Sequence, residues 1–370
     1  MKAVAAFPKE RRVRLIDAEE PKLASPSQVK LKILDVGVCG TDKEIYSFAY
    51  GAPPDGEDHL IMGHESLARV VEAGPEAAGL KVGDLAVLMV RRPCPDPACR
   101  ACAAGHQDFC ETGGFVERGI NRRRGYMTEL VVEEAKYVVK LPKALKDVGV
   151  LIEPLTIAEK ALAEARRVQA RLPWFKPGVK GEPGLGARAV VLGAGPVALL
   201  GAMLLRLEGF TTAVYSLEPS TDPKAELVRG LGASYVCSRE TPLDELAKKA
   251  GPIDLVYEAT GAAPLAFEAL EFLGTNGVFV FTGVPGRKGP ISVDADRLMR
   301  GLVLQNQLVF GSVNAPRAAF ESAAKDLASF LKAWPLAVPR LITQRHALAD
   351  FEAPLAGRLP GIKHVLHVGD

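Results

Sequence analysis

The chain lacks any run of roughly 18 apolar residues, the length a membrane-spanning helix needs, because Arg206 and Glu208 close its greasiest stretch. Its first thirty residues contain no long apolar core followed by a cleavage site, so no secretory leader is expected. No charge of one sign dominates. Lys+Arg 46 stands against Asp+Glu 44, a formal net charge of +2 and a pI near 8.1. That balance leaves no bulk electrostatic case for a nucleic acid, a membrane surface or an acidic partner. Asn and Gln are scarce, at four and six residues, a bias that fits a heat-adapted source or GC-rich coding. Internal repeats and low-complexity tracts are absent as well. The expectation is a soluble, cytoplasmic protein. Its 370 residues suffice for two domains, and 48% hydrophobic against 24% charged content argues against disorder.

What is present falls into two patterns. Residues 1–140 are β-rich, with short alternating or apolar runs at 29–38, 67–72, 84–90 and 130–141 broken by Gly and Pro. From residue 152 to 172 the period becomes helical, with Leu155, Ala158, Leu162 and Ala165 on one face. Residues 174–188, dense in Gly and Pro, read as a linker. Beyond them apolar strands alternate with helices, which predicts α/β architecture around a doubly wound parallel sheet. The last sixty residues are mixed and are expected to return to the first domain. The expected division is 1–186, 187–308 and 309–370.

Three motifs carry chemistry. The first is AVVLGAGPVALLG at 189–201, a buried strand running through Gly193 and Gly195 into a helix. Gly193 makes the tight turn, Gly195 lets backbone approach a pyrophosphate, and the small Ala198 lets helix pack on strand. Glu218 closes the next strand, where a carboxylate would accept the ribose hydroxyls of NAD and repel the 2′-phosphate of NADP. NAD is therefore expected over NADP, unless Glu218 merely caps the helix that follows. The second motif is Cys94, Cys99, Cys102 and Cys110, four of the six cysteines within seventeen residues. Four thiolates on one loop suit a closed, structural Zn²⁺ site. The nearby Arg122, Arg123 and Arg124 would suit a zinc-ribbon nucleic-acid module, but a near-neutral chain without an RNA-binding signature reads them as a solvated loop. The third is a scattered set, Cys39–Asp42, Gly63-His64-Glu65 and Glu153, whose side chains are Zn²⁺ ligand types for a catalytic site with an open position.

In order and spacing these segments, with Gly79–Asp84, resemble the zinc-dependent medium-chain dehydrogenases over essentially the full length. Val90-Arg-Arg-Pro93, Phe109–Thr112, Val116–Ile120, Leu151–Leu155, Tyr257–Gly261 and Gly311–Asn314 are similar to the archaeal-type glucose (aldose) dehydrogenase branch. The resemblance implies a GroES-like β-rich catalytic domain, with a structural zinc lobe at about 91–112, and a Rossmann cofactor domain. It implies that Cys39 and His64 bind the catalytic zinc, with Glu65 a further ligand, direct or through water. Glu153 stands where relatives place a third ligand or a substrate contact. Thr41 matches the hydroxyl that takes the substrate proton, and Glu117 and Asn314 match contacts to aldose hydroxyls. Pro196, Val197, Thr260 and Gly283 join Gly193, Gly195 and Glu218 at the cofactor. The chain departs from the pattern in the four-residue first gap of the cysteine loop, in Val90 for an Asn, and in Leu304 for a His.

The implied activity is hydride transfer from the anomeric carbon of an aldose, glucose foremost, to a nicotinamide cofactor, giving the lactone. Two zinc ions per chain and a homodimer or homotetramer are implied too. A polyol, alcohol or threonine dehydrogenase of the same superfamily is the alternative, and a non-catalytic zinc and nucleotide-binding protein a remote one. Glu117 could instead form a structural bridge with Arg118 or Arg122–Arg124.

Overall fold

The computed structural model describes residues 1–77, 79–174, 187–286, 289–357 and 359–369. Positions 175–186 of the expected linker lie outside the described residues. Two compact units emerge: Met1–Thr156 with Asn314–Ser329 and Val338–Asp370, and Ile157–Val313 with Phe330–Ala337. This division differs from 1–186, 187–308 and 309–370. The boundary falls inside the helix Ile152–Gln169 rather than after it. The later turns of that helix bond within the second unit: Gln169 Nε2 donates to Asn276 O at 2.8 Å, and Arg166 pairs with Glu208.

In the first unit a seven-stranded sheet runs in the order Val138–Lys140, Leu85–Leu88, Glu65–Ala73, Gln28–Gly37, Lys363–His367, Ile342–Ala347. Leu130–Glu134 also pairs with Gln28–Gly37. The apolar stretch at 130–141 is thus two strands rather than one, broken by the 3₁₀ turn Ala135–Tyr137. The turn lets the second half pair with Leu85–Leu88 instead. Alternate residues of Gln28–Gly37, among them Val29, Leu31 and Ile33, are fully buried and join Val4, Val70, Leu88 and Leu366 in one core. A small sheet of Arg91–Arg92, Val116–Arg118 and Arg122–Arg123 carries the loop around Glu117.

The second unit is a six-stranded parallel sheet, Ser234–Cys237, Thr211–Ser216, Arg188–Leu192, Ile253–Glu258, Leu273–Phe281, Leu308–Gly311. Counted along the chain the order is 3-2-1-4-5-6, the doubly wound dinucleotide topology, with its switch point beside the first strand. The continuous apolar runs follow from that position: Val190, Val191, Leu192, Val256, Tyr257 and Phe279 are all at most 2% exposed. No helix among the described residues is long and apolar enough to cross a membrane.

Candidate active site

The central strand Gln28–Gly37 delivers the chain to Cys39, which caps the helix Gly40–Tyr46. Asp42 locks that corner, its Oδ2 accepting from the Cys39 backbone N–H at 2.8 Å. The neighbouring strand begins at Glu65, paired with Gly37. A Cβ at Gly37 would lie 2.0 Å from Glu65 Oε2, so only glycine lets that carboxylate cross the sheet. Cys39, His64 and Glu65 thereby offer ligand atoms within 4.8 Å of one another. Thr41 is half-buried in the first turn of the same helix. Glu153, in the first turn of Ile152–Gln169, lies outside that set but faces it across an electrostatic neighbourhood of His64, Glu65, Lys363 and Asp42.

The electrostatics favour a cation here. Burial pushes the Glu153 carboxyl up to about 7, with Glu65 and Asp42 adding to the effect and His64 and Lys363 opposing it. Burial also works against a charge on His64, yet Asp42 and Cys39 outweigh it and the imidazole pKa stands well above 6.5. His64 Nδ1 and Asp42 Oδ1 are 3.4 Å apart, buried, and too poorly aligned to hydrogen-bond. A pocket that pulls a proton onto a buried imidazole, and leaves a carboxylate oxygen orphaned beside it, fits a bound metal ion with Asp42 orienting the ligand. One group has no counterpart in the sequence reading. Lys363, 2% exposed on its side chain, donates to both oxygens of Glu65 at 2.7 and 2.6 Å and to Val38 O at 3.1 Å. Nothing local marks a lysine in the strand Lys363–His367 as buried, so only the fold reveals it. Asp42, by contrast, carried a signal: an acid three residues after the helix cap.

In the same unit Asn314 Nδ2 donates to Glu117 Oε1 at 3.2 Å, although the two residues are 197 apart in sequence. Asn314 adopts φ +58, a left-handed backbone that asparagine tolerates better than most residues. Glu117 is 6% exposed. Its ion-pair partner is Arg91 rather than Arg118 or Arg122–Arg124. Those positions serve elsewhere: Arg118 and Arg123, with Arg92, surround the buried Glu133, and Arg124 pairs with Glu57.

The thiols of Cys94, Cys99, Cys102 and Cys110 converge within 4.8 Å, and none is in a disulfide. Their acidities are split: burial raises Cys102 to about 12, while at Cys110 the bonds to Thr112 and the neighbouring thiols overcome burial and lower it to about 6. Such a set cannot ionise together without a cation among its sulfurs. Four convergent thiols with no carboxylate suit a tetrahedral zinc.

In the second unit Gly193 takes φ +104, and a Cβ there would meet Thr260 Cγ2 at 2.9 Å. Gly195 caps the helix Pro196–Leu207, and its Cβ position faces open space, a cradle against the N-terminal turn of Pro196 and Val197 that suits a pyrophosphate. Glu258, 1% exposed, gathers the neighbouring strand ends. It accepts from Thr260 N at 2.6 Å, Thr260 Oγ1 at 2.6 Å, Gly261 N at 2.9 Å and Gly283 N at 3.2 Å. Thr260 and Gly283 are therefore neighbours at the carboxyl ends of the sheet. Glu218 does not cap the next helix, because Asp222 does, accepting from Lys224 N at 2.8 Å. Its carboxylate is instead held by Ser216 Oγ and Lys224 Nζ.

A β-rich unit holding Cys/His/Glu and four-cysteine sets, in one chain with a doubly wound dinucleotide unit, defines a zinc-dependent medium-chain dehydrogenase. Residues 25–143 match the alcohol dehydrogenase GroES-like domain, and residues 146–368 match the glucose dehydrogenase C-terminus. The chain is 40% identical to glucose 1-dehydrogenase 2 of Vulcanisaeta moutnovskia over 100% of its own length and 99% of that protein. It is 36% identical to the glucose 1-dehydrogenase of Methanocella arvoryzae, with 100% of both chains covered. The structure of Haloferax mediterranei glucose dehydrogenase in complex with NADP, Zn and gluconolactone superposes with a TM-score of 0.86, at 32% identity over 100% of both chains. The chain belongs to the glucose 1-dehydrogenase branch of the zinc-dependent medium-chain dehydrogenase family.

Proposed function

We propose that this protein oxidises an aldose, glucose foremost, at its anomeric carbon to the lactone, passing hydride to a nicotinamide cofactor, with NAD preferred. Cys39 and His64 would hold the catalytic zinc, joined by Glu153. Glu65, already neutralised by Lys363, would reach the ion through water. With Nδ1 turned to Asp42, His64 has Nε2 left for the metal. When bound, zinc supplies Lewis acidity that favours loss of the proton from the substrate hydroxyl. Thr41 Oγ1, on the helix that Cys39 caps, would take that proton and pass it on. Cys94, Cys99, Cys102 and Cys110 would hold the second, structural zinc. The nicotinamide cofactor would lie along Gly193, Gly195, Pro196 and Val197, with Thr260 and Gly283 beside it and Glu218 at the ribose.

The observation that carries the sugar reading is the Glu117–Asn314 contact at 3.2 Å, in the unit that also holds Cys39 and His64. No described residue bonds Glu117 Oε2, which leaves a carboxylate oxygen for a substrate hydroxyl. A simple alcohol has no second hydroxyl to use it. The NAD preference rests on Glu218; its bond to Lys224 also places a cation where a 2′-phosphate could claim it, and that pairing favours some use of NADP. We infer a cytoplasmic homodimer or homotetramer. Supporting self-association, Leu308–Gly311 is an edge strand, and Val303, Leu304, Val309 and Val313 stand exposed on or near it. The test is a substrate panel on zinc-reconstituted protein. Aldoses should reduce the cofactor and yield an acid-forming lactone; turnover confined to polyols, simple alcohols or threonine would select the alternative.

A further inference from the structure

Arg91 is a buried arginine, 7% exposed, whose Nε and Nη2 both face the Glu117 carboxylate. Its backbone pairs with Glu117 across the small sheet, so strand register already sets the two residues opposite each other. Nε donates to Glu117 Oε1 at 3.0 Å, and Nη2 lies 3.0 Å from the same oxygen. Nη1 donates to the Asp108 carbonyl at 3.2 Å, and the guanidinium lies 3.7 Å over the Phe115 ring. The fork is thus held by two contacts besides the acid itself. With Asn314 Nδ2 at 3.2 Å, every described bond to the Glu117 carboxylate falls on Oε1.

A glutamate's last torsion is broad and roughly two-fold, so an unrestrained carboxylate offers either oxygen in many orientations. The guanidinium removes that freedom. We propose that Arg91 is a positioning and specificity-determining residue for the aldose: by holding Glu117 Oε1 inward it presents Oε2 as a fixed acceptor for one substrate hydroxyl. This rests on the sugar reading above. A lysine at 91 would keep the charge but offers no planar fork to span Glu117 and the Asp108 carbonyl together.

The test compares wild type, Arg91→Gln, Arg91→Lys, Glu117→Gln and the double variant Arg91→Gln/Glu117→Gln, each zinc-reconstituted. Steady-state constants are measured with glucose and the four monodeoxyglucoses at positions 2, 3, 4 and 6, alongside melting temperatures. In wild type one deoxy position should lose affinity through Glu117. Arg91→Gln should raise the glucose KM about tenfold, the scale of one charge-assisted hydrogen bond, with kcat within about threefold by the differential-binding argument. It should also flatten the deoxy-sugar profile and leave the cofactor KM unchanged. Arg91→Lys should fall between the two, and the double variant should bind glucose no worse than Glu117→Gln. An Arg91→Gln protein that melts lower yet keeps the glucose KM and deoxy profile would overturn the proposal, leaving aldose oxidation intact. Should Arg91→Gln not fold, an unchanged profile in Arg91→Lys decides against it equally. A wild type that oxidises no aldose would overturn the functional reading itself, and the proposal with it.

Discussion

Glu218 shows how one contact redirects an inference made at a single residue. A carboxylate at the end of the strand Thr211–Ser216 argues for NAD, and Ser216 and Lys224 hold that carboxylate in place. Desolvation opposes its ionisation, but the Lys224 and Ser216 contacts outweigh it and lower its pKa, so the carboxylate proposed to face the ribose is ionised at neutral pH. Wild-type kcat/KM should favour NAD by at least about tenfold, roughly 1.4 kcal/mol. Glu218→Ala should narrow or reverse the ratio by freeing Lys224 and Ser216 for the phosphate; equal or better use of NADP by wild type would refute the assignment. The ligand types Cys39, His64 and Glu65 were legible in sequence because metal sites reuse a small set of donors. Lys363 and Arg91 were not. Each acts through a partner, 298 and 26 residues away respectively, and no local pattern announces a long-range ion pair.

Among the elements, the parallel strands were the easiest to read, since burial on both faces makes Arg188–Leu192 and Ile253–Glu258 continuous apolar runs. The run at 130–141 was harder, because a 3₁₀ turn does not interrupt hydrophobicity even where it changes the pairing partner. The helix Ile152–Gln169 was legible as a helix but not as the place where the units divide, which depends on distant bonds such as Gln169 to Asn276. The strand Leu130–Glu134 also carries Glu133, the acid shared by Arg92, Arg118 and Arg123. Burial opposes its ionisation, yet Arg118 and Arg92 prevail and hold its pKa at about 2 against an ordinary 4.5. Its folded pKa is depressed, so the stabilisation is fully present above about pH 4.5 and is lost as pH falls toward 2; a shift of this size corresponds to roughly 3 kcal/mol. Glu133→Gln should lower the melting temperature at pH 7, since breaking a buried ion pair costs about 3–5 kcal/mol. The variant should also lose less stability than wild type between pH 5 and 3 in acid titrations followed by circular dichroism. A parallel acid limb in both proteins would remove Glu133 from the account.

At the scale of the whole molecule, the proposed function gives the two donor sets different tasks. Cys94, Cys99, Cys102 and Cys110 come from one short loop, so that site was legible as a unit from spacing alone. Cys39, His64 and Glu65 come from separate segments of the chain. Before the fold brought their ligand atoms within 4.8 Å, only a resemblance to a family joined them; Glu153 stays outside that set. If the loop site is structural, Cys102→Ser should lower the melting temperature, because a closed zinc site contributes its binding energy to folding. Cys39→Ser should leave the fold and remove catalysis. The most direct test of zinc-dependent aldose oxidation is glucose-dependent cofactor reduction by the zinc-reconstituted full chain beside Cys39→Ser, with zinc counted on the same samples. The two ligand sets predict two zinc ions per chain and turnover for wild type, and one zinc without turnover for Cys39→Ser. Full activity with one zinc in wild type, or wild-type turnover in Cys39→Ser, would contradict it.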